Sequence, residues 1–418
     1  MLRLLRELNG SGAVCRRLLK AELDVFNQCP ADFRFGLTGG LDPRITFTRA
    51  SAGTCIGGDG LMRTVASNAP RFDHEPITGR PRGLLIEGQK TNFIAYSTPT
   101  GGQWSAFGAG AAGPAVTFNA AVAPDGTTTA AATTNAVTAA GQISALFSPV
   151  AAVTAGGHMA SVYLKGPVGG ETVTWGVSGA ATVQQTVTLT NTWRRYILPS
   201  FSPTTGNLQL YVGPNLNAAG AATAHVWGAQ VENGSGLYSS LIPTAGATAT
   251  RVPDVAVLQS STVAQLFPGI EFSAFTVFAE WSSDYVGGRG SPGTFVWNAT
   301  TANNSYVAVA MTGNSTDSSF AKTIRIAGGA PDFLATYPPV NPGQVYRDAV
   351  IVQGSRCVVC SDGEKPVVYG ADLADVPIAF GIGCQPLDFG SRLSGVISRI
   401  SIWPRRLSVE ALRTITQR

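Results

Sequence analysis

The 418-residue chain predicts an all-β protein: two successive antiparallel jelly-roll-type β-sandwiches preceded by a short helical region at the N-terminus. Three observations carry that prediction. Apolar and polar residues alternate in short runs, as in Gln185-Thr186-Val187-Thr188-Leu189, the pattern of a half-buried strand. The chain holds 49 glycines and 25 prolines, which break it into short strands joined by tight turns. Charged residues make up only 13% of the sequence, against a typical ~25%, and there is no heptad run, block of like charge or apolar stretch of membrane-spanning length.

The elements follow in order. Between Cys15 and Asn27 the residues Cys15, Leu18, Leu19, Leu23 and Phe26 form one stripe at helical spacing, with Arg16, Arg17, Lys20 and Asp24 on the other side. Asn27 and Cys29-Pro30 stop that helix, so residues 1–40 read as a helical segment. Residues 41–98 read as a connector of short strands, with Asp59-Gly60 and Thr78-Gly79 as turn formers and Gly83–Glu87 as a short apolar strand. Residues 99–254 read as the first sandwich, with strands at 158–166, 172–179, 184–190, 193–201, 208–213 and 224–232. Residues 263–418 read as the second, opening at 275–281 and carrying a hairpin that turns at Asp362-Gly363. Ser408 is the expected N-cap of a closing helix whose stripe is Val409, Leu412 and Ile415. On this reading residues 255–418 fold on their own.

Charge and motif content exclude several functions. Residues 1–98 carry 13 Arg/Lys against 9 Asp/Glu, and the remainder of the chain is balanced. That diffuse excess is not the clustered basic face of a nucleic-acid binder, though it suits docking onto an acidic protein surface. The N-terminus has no uninterrupted apolar stretch followed by a cleavage site, so no secretory leader is expected. The six cysteines are expected to be reduced when the chain is made. Cys357 and Cys360 form a lone C-x-x-C without further zinc ligands, and in a strand their sulfurs face opposite ways. The Asp73-His74-Glu75 run likewise spreads over both faces of a strand or turn. No G-x-S-x-G elbow, phosphate-binding loop, H-E-x-x-H or calcium loop is present, so neither enzyme activity nor a cofactor is expected.

Two sets of segments carry a resemblance. Phe47–Ser97 contains FTRAS, PRFD, GLLIE and TN; Val226–Asp254 contains WGAQVE, SSLIPT and TRVPD. Together they resemble bracketing segments of bacteriophage virion appendages of the tail-fibre or spike kind, in which they enclose a carbohydrate-binding-type β-sandwich. The C-terminal run LSGVISRISIWPRRLSVEALRTIT resembles the closing strand and helix of laminin-G-like or concanavalin-like domains. The resemblance implies a structural virion protein, as tail fibre, spike, collar or head fibre, displayed on the particle surface and trimeric. Its implied partners are other virion proteins and a host-surface glycan, with no nucleic acid and no membrane insertion. The alternative is a decoration or neck/collar protein that braces its neighbours without touching the host.

Candidate residues follow from that frame. Sugar recognition commonly sets an aromatic ring beside polar groups. Of the seven tryptophans, Trp104, in a loose Gly-rich run, and Trp297, beside Asn298, are expected at the surface and so as ligand contacts. Trp193, Trp227, Trp281 and Trp403 are expected in strands or at domain seams. The stripe Cys15/Leu18/Leu19/Leu23/Phe26 is the expected virion attachment face, and Cys15 and Cys29 are expected candidates for a disulfide between subunits.

Overall fold

The computed structural model describes residues 12–37, 40–234, 238–268, 274–283, 294–301, 306–313, 320–327, 333–354, 356–370, 376–386 and 392–417; side chains are described for these except 12–19, 312–313, 320–327, 333–339 and 370. The chain forms two antiparallel β-sandwiches, as the alternation predicts. No described helix is long and apolar enough to cross a membrane.

The first sandwich has one sheet in the order Arg194–Ile197, His158–Lys165, Gly220–Asn233, Ala130–Val137, Ala115–Ala121. It faces a second in the order Val183–Thr188, Thr172–Gly179, Gly206–Pro214, Ile143–Phe147, Ser105–Ala109. Their inner faces meet in a core that includes Trp104, Trp175, Val162, Leu164, Leu210 and Val226. Strand Val183–Thr188 alternates half-buried and exposed residues along its whole length, the half-buried pattern its sequence predicts, and lies at the edge of its sheet.

The second sandwich does not keep to the expected boundaries. One of its sheets runs Val367–Gly370, Arg356–Ser361, Val345–Gln353, Phe275–Ser283, Gly395–Trp403, Pro81–Ile86, Phe72–His74. Ala31–Arg34 also pairs with Gly395–Trp403. The facing sheet begins Ile45–Thr48, Val255–Leu258, Pro377–Ile382, Thr294–Thr301. The segment expected to be a connector therefore completes both sheets of the C-terminal sandwich, and residues 255–418 are not self-contained. Phe33, Ile45, Leu84 and Ile86 lie in the same core as Trp281, Trp297 and Ile400. Gly83 shows why one residue of the GLLIE strand must lack a side chain: a Cβ there would stand 2.2 Å from the Ile397 carbonyl oxygen, at a φ of +135°. Local periodicity marks a strand but does not name its partner, so chain order alone suggested a separate connector.

The first sandwich is thus an insertion in the second. The chain leaves through Lys90–Asn92 and returns through Ala249–Arg251, and these two short strands pair antiparallel, Lys90 opposite Arg251.

Shorter-range expectations hold. Asp362 and Gly363 take φ of 49° and 76° at the turn between the paired strands Arg356–Ser361 and Val367–Gly370. Ser408 caps the helix Val409–Thr416, its hydroxyl accepting from the Ala411 N–H at 3.0 Å. Cys357 lies in the inter-sheet core, and Cys360 on the opposite face under that helix.

The helix Gly12–Asn27 ends on this same outer face. Phe26 is buried, 5.2 Å from the Phe278 ring and 5.8 Å from that of Trp403. Of the expected attachment stripe, Phe26 is used up in packing on its own sandwich, while Leu23 is 44% exposed. The side chains of Cys15, Leu18 and Leu19 lie outside the described residues. Cys29 is a free thiol turned inward, donating to the Ile402 carbonyl at 3.4 Å, and burial pushes its pKa up to about 12. Seated against its own strand, Cys29 is poorly placed to reach another subunit.

Candidate functional site

The quoted motifs converge at the neck between the sandwiches, where they build a buried ion network. Arg49 of FTRAS reaches Asp254 at 3.1 Å, and Arg71 of PRFD reaches Asp254 at 2.5 Å and Glu87 of GLLIE at 2.7 Å. Arg251 of TRVPD reaches Glu87 at 2.9 Å. All five side chains are at most 4% exposed. Burial opposes ionisation of Glu87, but Arg251 and Arg71, with Ser240 donating from N–H and hydroxyl, outweigh it and hold the carboxyl at about 2. The return segment is fixed by further hydrogen bonds. Ser239 donates to Glu232 from its N–H at 2.9 Å and its hydroxyl at 2.6 Å, and the Thr244 hydroxyl donates to the Ile94 carbonyl at 2.7 Å. Its three arginines and two carboxylates are buried and turned on one another, so this network joins domains and offers a ligand nothing.

Beside it, at the same seam, lies a cleft of about 830 Å³. Its floor is the outward face of the paired strands His158–Lys165 and Arg194–Ile197. Val162 and Leu164 point into the core, so Tyr163 and Lys165 point into the cleft. Tyr163 lies opposite Arg195 and Leu164 opposite Arg194; one step further, Trp193 comes beside Lys165. The opposite wall is the hairpin of Gly53–Ile56 with Met62–Val65, next to Asp73 and His74.

Several contacts fix the walls, the first two of them between the sandwiches. The Met62 N–H donates to the Pro124 carbonyl at 2.9 Å, the Thr54 hydroxyl to the Leu241 carbonyl at 2.6 Å, and the Trp193 indole N–H to the Val122 carbonyl at 2.9 Å. A small apolar cluster of Met62, Ala123, Ala130, Trp227 and Leu241 lies behind them. Gly228 of the WGAQ run adopts φ +62°, and a Cβ there would press to 2.9 Å on the Tyr163 ring, so the glycine lets that ring lie flat on the strand.

The lining combines aromatic surface with fixed polar groups. The Lys165 ammonium stands 5.3 Å from the Trp193 ring centre. The Arg195 guanidinium is 5.7 Å from that of Tyr163 and 5.3 Å from that of Tyr238. Arg195 donates to Ser161 Oγ at 2.8 Å and to the Ser239 carbonyl at 2.6 Å, neutral acceptors both. Asp73 accepts from the Ile56 N–H and from Arg82, each at 2.9 Å, and His74 Nδ1 lies 3.0 Å from the Ile56 carbonyl. Glu75 instead caps the turn at Ile77 and Thr78. The Asp73-His74-Glu75 run is therefore divided among separate tasks, and among the described residues no group of three His, Cys, Asp or Glu side chains could hold a metal.

The aromatic ligand contacts expected from sequence are elsewhere and buried. Trp104 is 4% exposed, its indole donating to the Tyr96 carbonyl at 3.0 Å inside the first core. Trp297 is fully buried and stacks on Phe380, with ring centres 5.7 Å apart. Asn298 is fully buried too, its side-chain oxygen accepting from the Thr300 hydroxyl. A Gly-rich neighbourhood suggested exposure for Trp104, but the ring folds back over its own turn. Trp193, expected in a strand or at a domain seam, lines the cleft at the seam. The alternation Trp193, Arg195 against Tyr163, Lys165 was its signal in the sequence, and it could be read only once the two strands were known to pair.

No family model and no curated protein matches this sequence. Among solved structures the fold is similar to a sialidase of Trypanosoma rangeli in complex with 2,3-difluorosialic acid, at 14% identity and TM-score 0.30, over 39% of this chain and 26% of that one. It is also similar to the CBM40 of a Ruminococcus gnavus IT-sialidase bound to α2,3-sialyllactose, at 12% identity and TM-score 0.27, over 35% and 83%. A third is domain 4 of a GH43 extracellular arabinanase from Geobacillus stearothermophilus in complex with arabinotriose, at 13% identity and TM-score 0.30, over 44% and 84%. At these values the likenesses assign no activity, ligand or partner to this chain.

Proposed function

We propose that this protein is a non-catalytic, saccharide-binding appendage of a bacteriophage particle, and that the seam cleft is where the saccharide sits. The observation that carries the binding reading is the cleft itself: aromatic rings of Trp193, Tyr163 and Tyr238 beside positioned hydrogen-bonding groups, in a concavity between two domains. Its two carboxylates are occupied, Asp73 by Arg82 and Glu87 by the buried arginines, which disfavours a hydrolytic acid–base pair. The virion assignment rests on the FTRAS to TRVPD resemblance, whose charged residues are those that fasten the inserted sandwich. The test is a glycan array with the full chain and with Trp193→Ala. Wild-type protein should capture a subset of glycans, and the variant should bind them at least tenfold more weakly. Binding unaffected by Trp193→Ala would move the site out of this cleft. Antibody-labelled particles seen by electron microscopy would test the virion assignment separately.

A second reading, a bracing protein that contacts only virion neighbours, is favoured by one feature. Strand Val367–Gly370 ends its sheet, with Val367 41% and Val368 61% exposed, and an edge of this kind suits pairing with another chain. Particles that lack the protein but adsorb normally would favour it.

A further inference from the structure

Resting on the saccharide reading above, we infer that the ligand is an acidic saccharide, a sugar whose carboxylate is received between Lys165 and Arg195. The cleft carries uncompensated positive charge. Six lining side chains are charged at neutral pH: Asp73, Glu87, Arg82, Lys165, Arg194 and Arg195. Asp73 is matched by Arg82, and Glu87 is turned to Arg71 and Arg251 in the neck. Lys165, Arg194 and Arg195 remain, and none of them pairs with a carboxylate among the described residues. Glu171, the acid that follows Lys165 in sequence, accepts instead from the Val168 and Gly169 N–H groups, each at 2.9 Å.

The two inner cations are also held in place. Arg195 is fixed by Ser161 and Ser239 and flanked by two tyrosine rings, which orient the guanidinium without cancelling its charge. Lys165 lies along Trp193. On paired strands the two occupy diagonal positions on one face, their backbones about 7–8 Å apart by sheet geometry, so that both long side chains reach the same part of the cleft. The other titratable groups nearby do not offset them: burial, and then Lys165 itself, push the His225 pKa down, and burial pushes the Tyr163 phenol up. The ligand thus meets fixed positive charge with an aromatic wall beside it, an arrangement that favours an anionic sugar over a neutral one.

Calorimetric titration of the full chain tests this with two matched pairs of probes: a galacturonic acid trimer against a galactose trimer, and 3′-sialyllactose against lactose. The expected result is that at least one acidic member binds about tenfold or more tightly than its neutral partner at low salt, and that the ratio shrinks as salt rises. Lys165→Gln should bring the ratio close to one, and Arg195→Gln should do the same if its fold is intact by circular dichroism. Neutral probes bound as tightly as acidic ones would overturn the charge inference and leave the saccharide reading standing. A preference that survives Lys165→Gln undiminished would also overturn it, because the anion would then sit elsewhere. A chain that binds no probe here and no glycan on the array loses both readings.

Discussion

The neck and the cleft are built side by side from the same residue types, and they differ in how charge is matched. In the neck Arg49, Arg71 and Arg251 face Glu87 and Asp254, with every side chain buried. In the cleft Arg195 and Lys165 face hydroxyl, carbonyl and aromatic groups, half open to water. A buried charge must be paired or it does not stay buried, so charge buried against counter-charge marks a structural joint. Charge that is oriented but left unmatched at the rim of a concavity adds little to folding and is available to a ligand. In the sequence the neck's five charges fall within the two segments that carry the resemblance, Phe47–Ser97 and Val226–Asp254. The cleft is marked only by the alternation of Trp193 and Arg195 with that of Tyr163 and Lys165.

The largest expected difference concerns which parts fold alone. Residues 90–251 contain both sheets of the inserted sandwich and its neck strands, so this fragment should be soluble and unfold cooperatively. Residues 255–418 lack the strands that cover Gly395–Trp403 and Val255–Leu258, together with Phe33, Leu84 and Ile86 from the core, and should aggregate. A soluble, cooperatively unfolding 255–418 fragment would show that the N-terminal strands are ornaments on a complete domain.

Next in size is the neck. Asp254→Ala leaves Arg49 and Arg71 buried without their shared carboxylate, and should cost about 3–5 kcal/mol in denaturant unfolding. A loss below about 1 kcal/mol would mean that water reaches the network and the neck is not the joint described. The same network sets an acid limit. The folded pKa of Glu87 lies near 2, below its ordinary 4.5, so its contribution is complete above about 4.5 and is lost as pH falls toward 2. Over that window wild-type stability should drop by on the order of 3 kcal/mol more than that of Glu87→Gln. Parallel pH curves for the two proteins would exclude Glu87 as a contributor.

Much of the local structure was legible in the sequence because local rules settle it. Asp362-Gly363 takes positive φ readily, a serine before an amphipathic run caps it, and alternation in Val183–Thr188 reports one wet face. What could not be read depends on contacts between distant residues. The pairing of Ile397 with Leu84, or of Arg195 with Tyr163, leaves no local periodicity. Trp104 and Trp297 were misplaced for the same reason, since exposure depends on what folds over a ring and not on its neighbours in sequence. The cleft needed such a pairing, Arg195 with Tyr163, together with the approach of the Gly53–Ile56 hairpin, and only the structure supplies both.

The smallest effect tests the other half of the comparison. If Lys165 belongs to the ligand and not to the fold, Lys165→Gln should change unfolding free energy by no more than about 0.5 kcal/mol. Its described partner is the Trp193 ring at 5.3 Å, a contact worth about 0.5–1 kcal/mol at an exposed site. Against that stands repulsion: after burial, Lys165 is the next cause holding the His225 pKa below its ordinary 6.5. Removing the ammonium relieves that repulsion, so the His225 midpoint, followed by NMR of the ring protons, should rise while the melting temperature hardly moves. A substantial fall in melting temperature together with an unmoved His225 midpoint would place Lys165 among the structural charges, on the neck's side of the comparison.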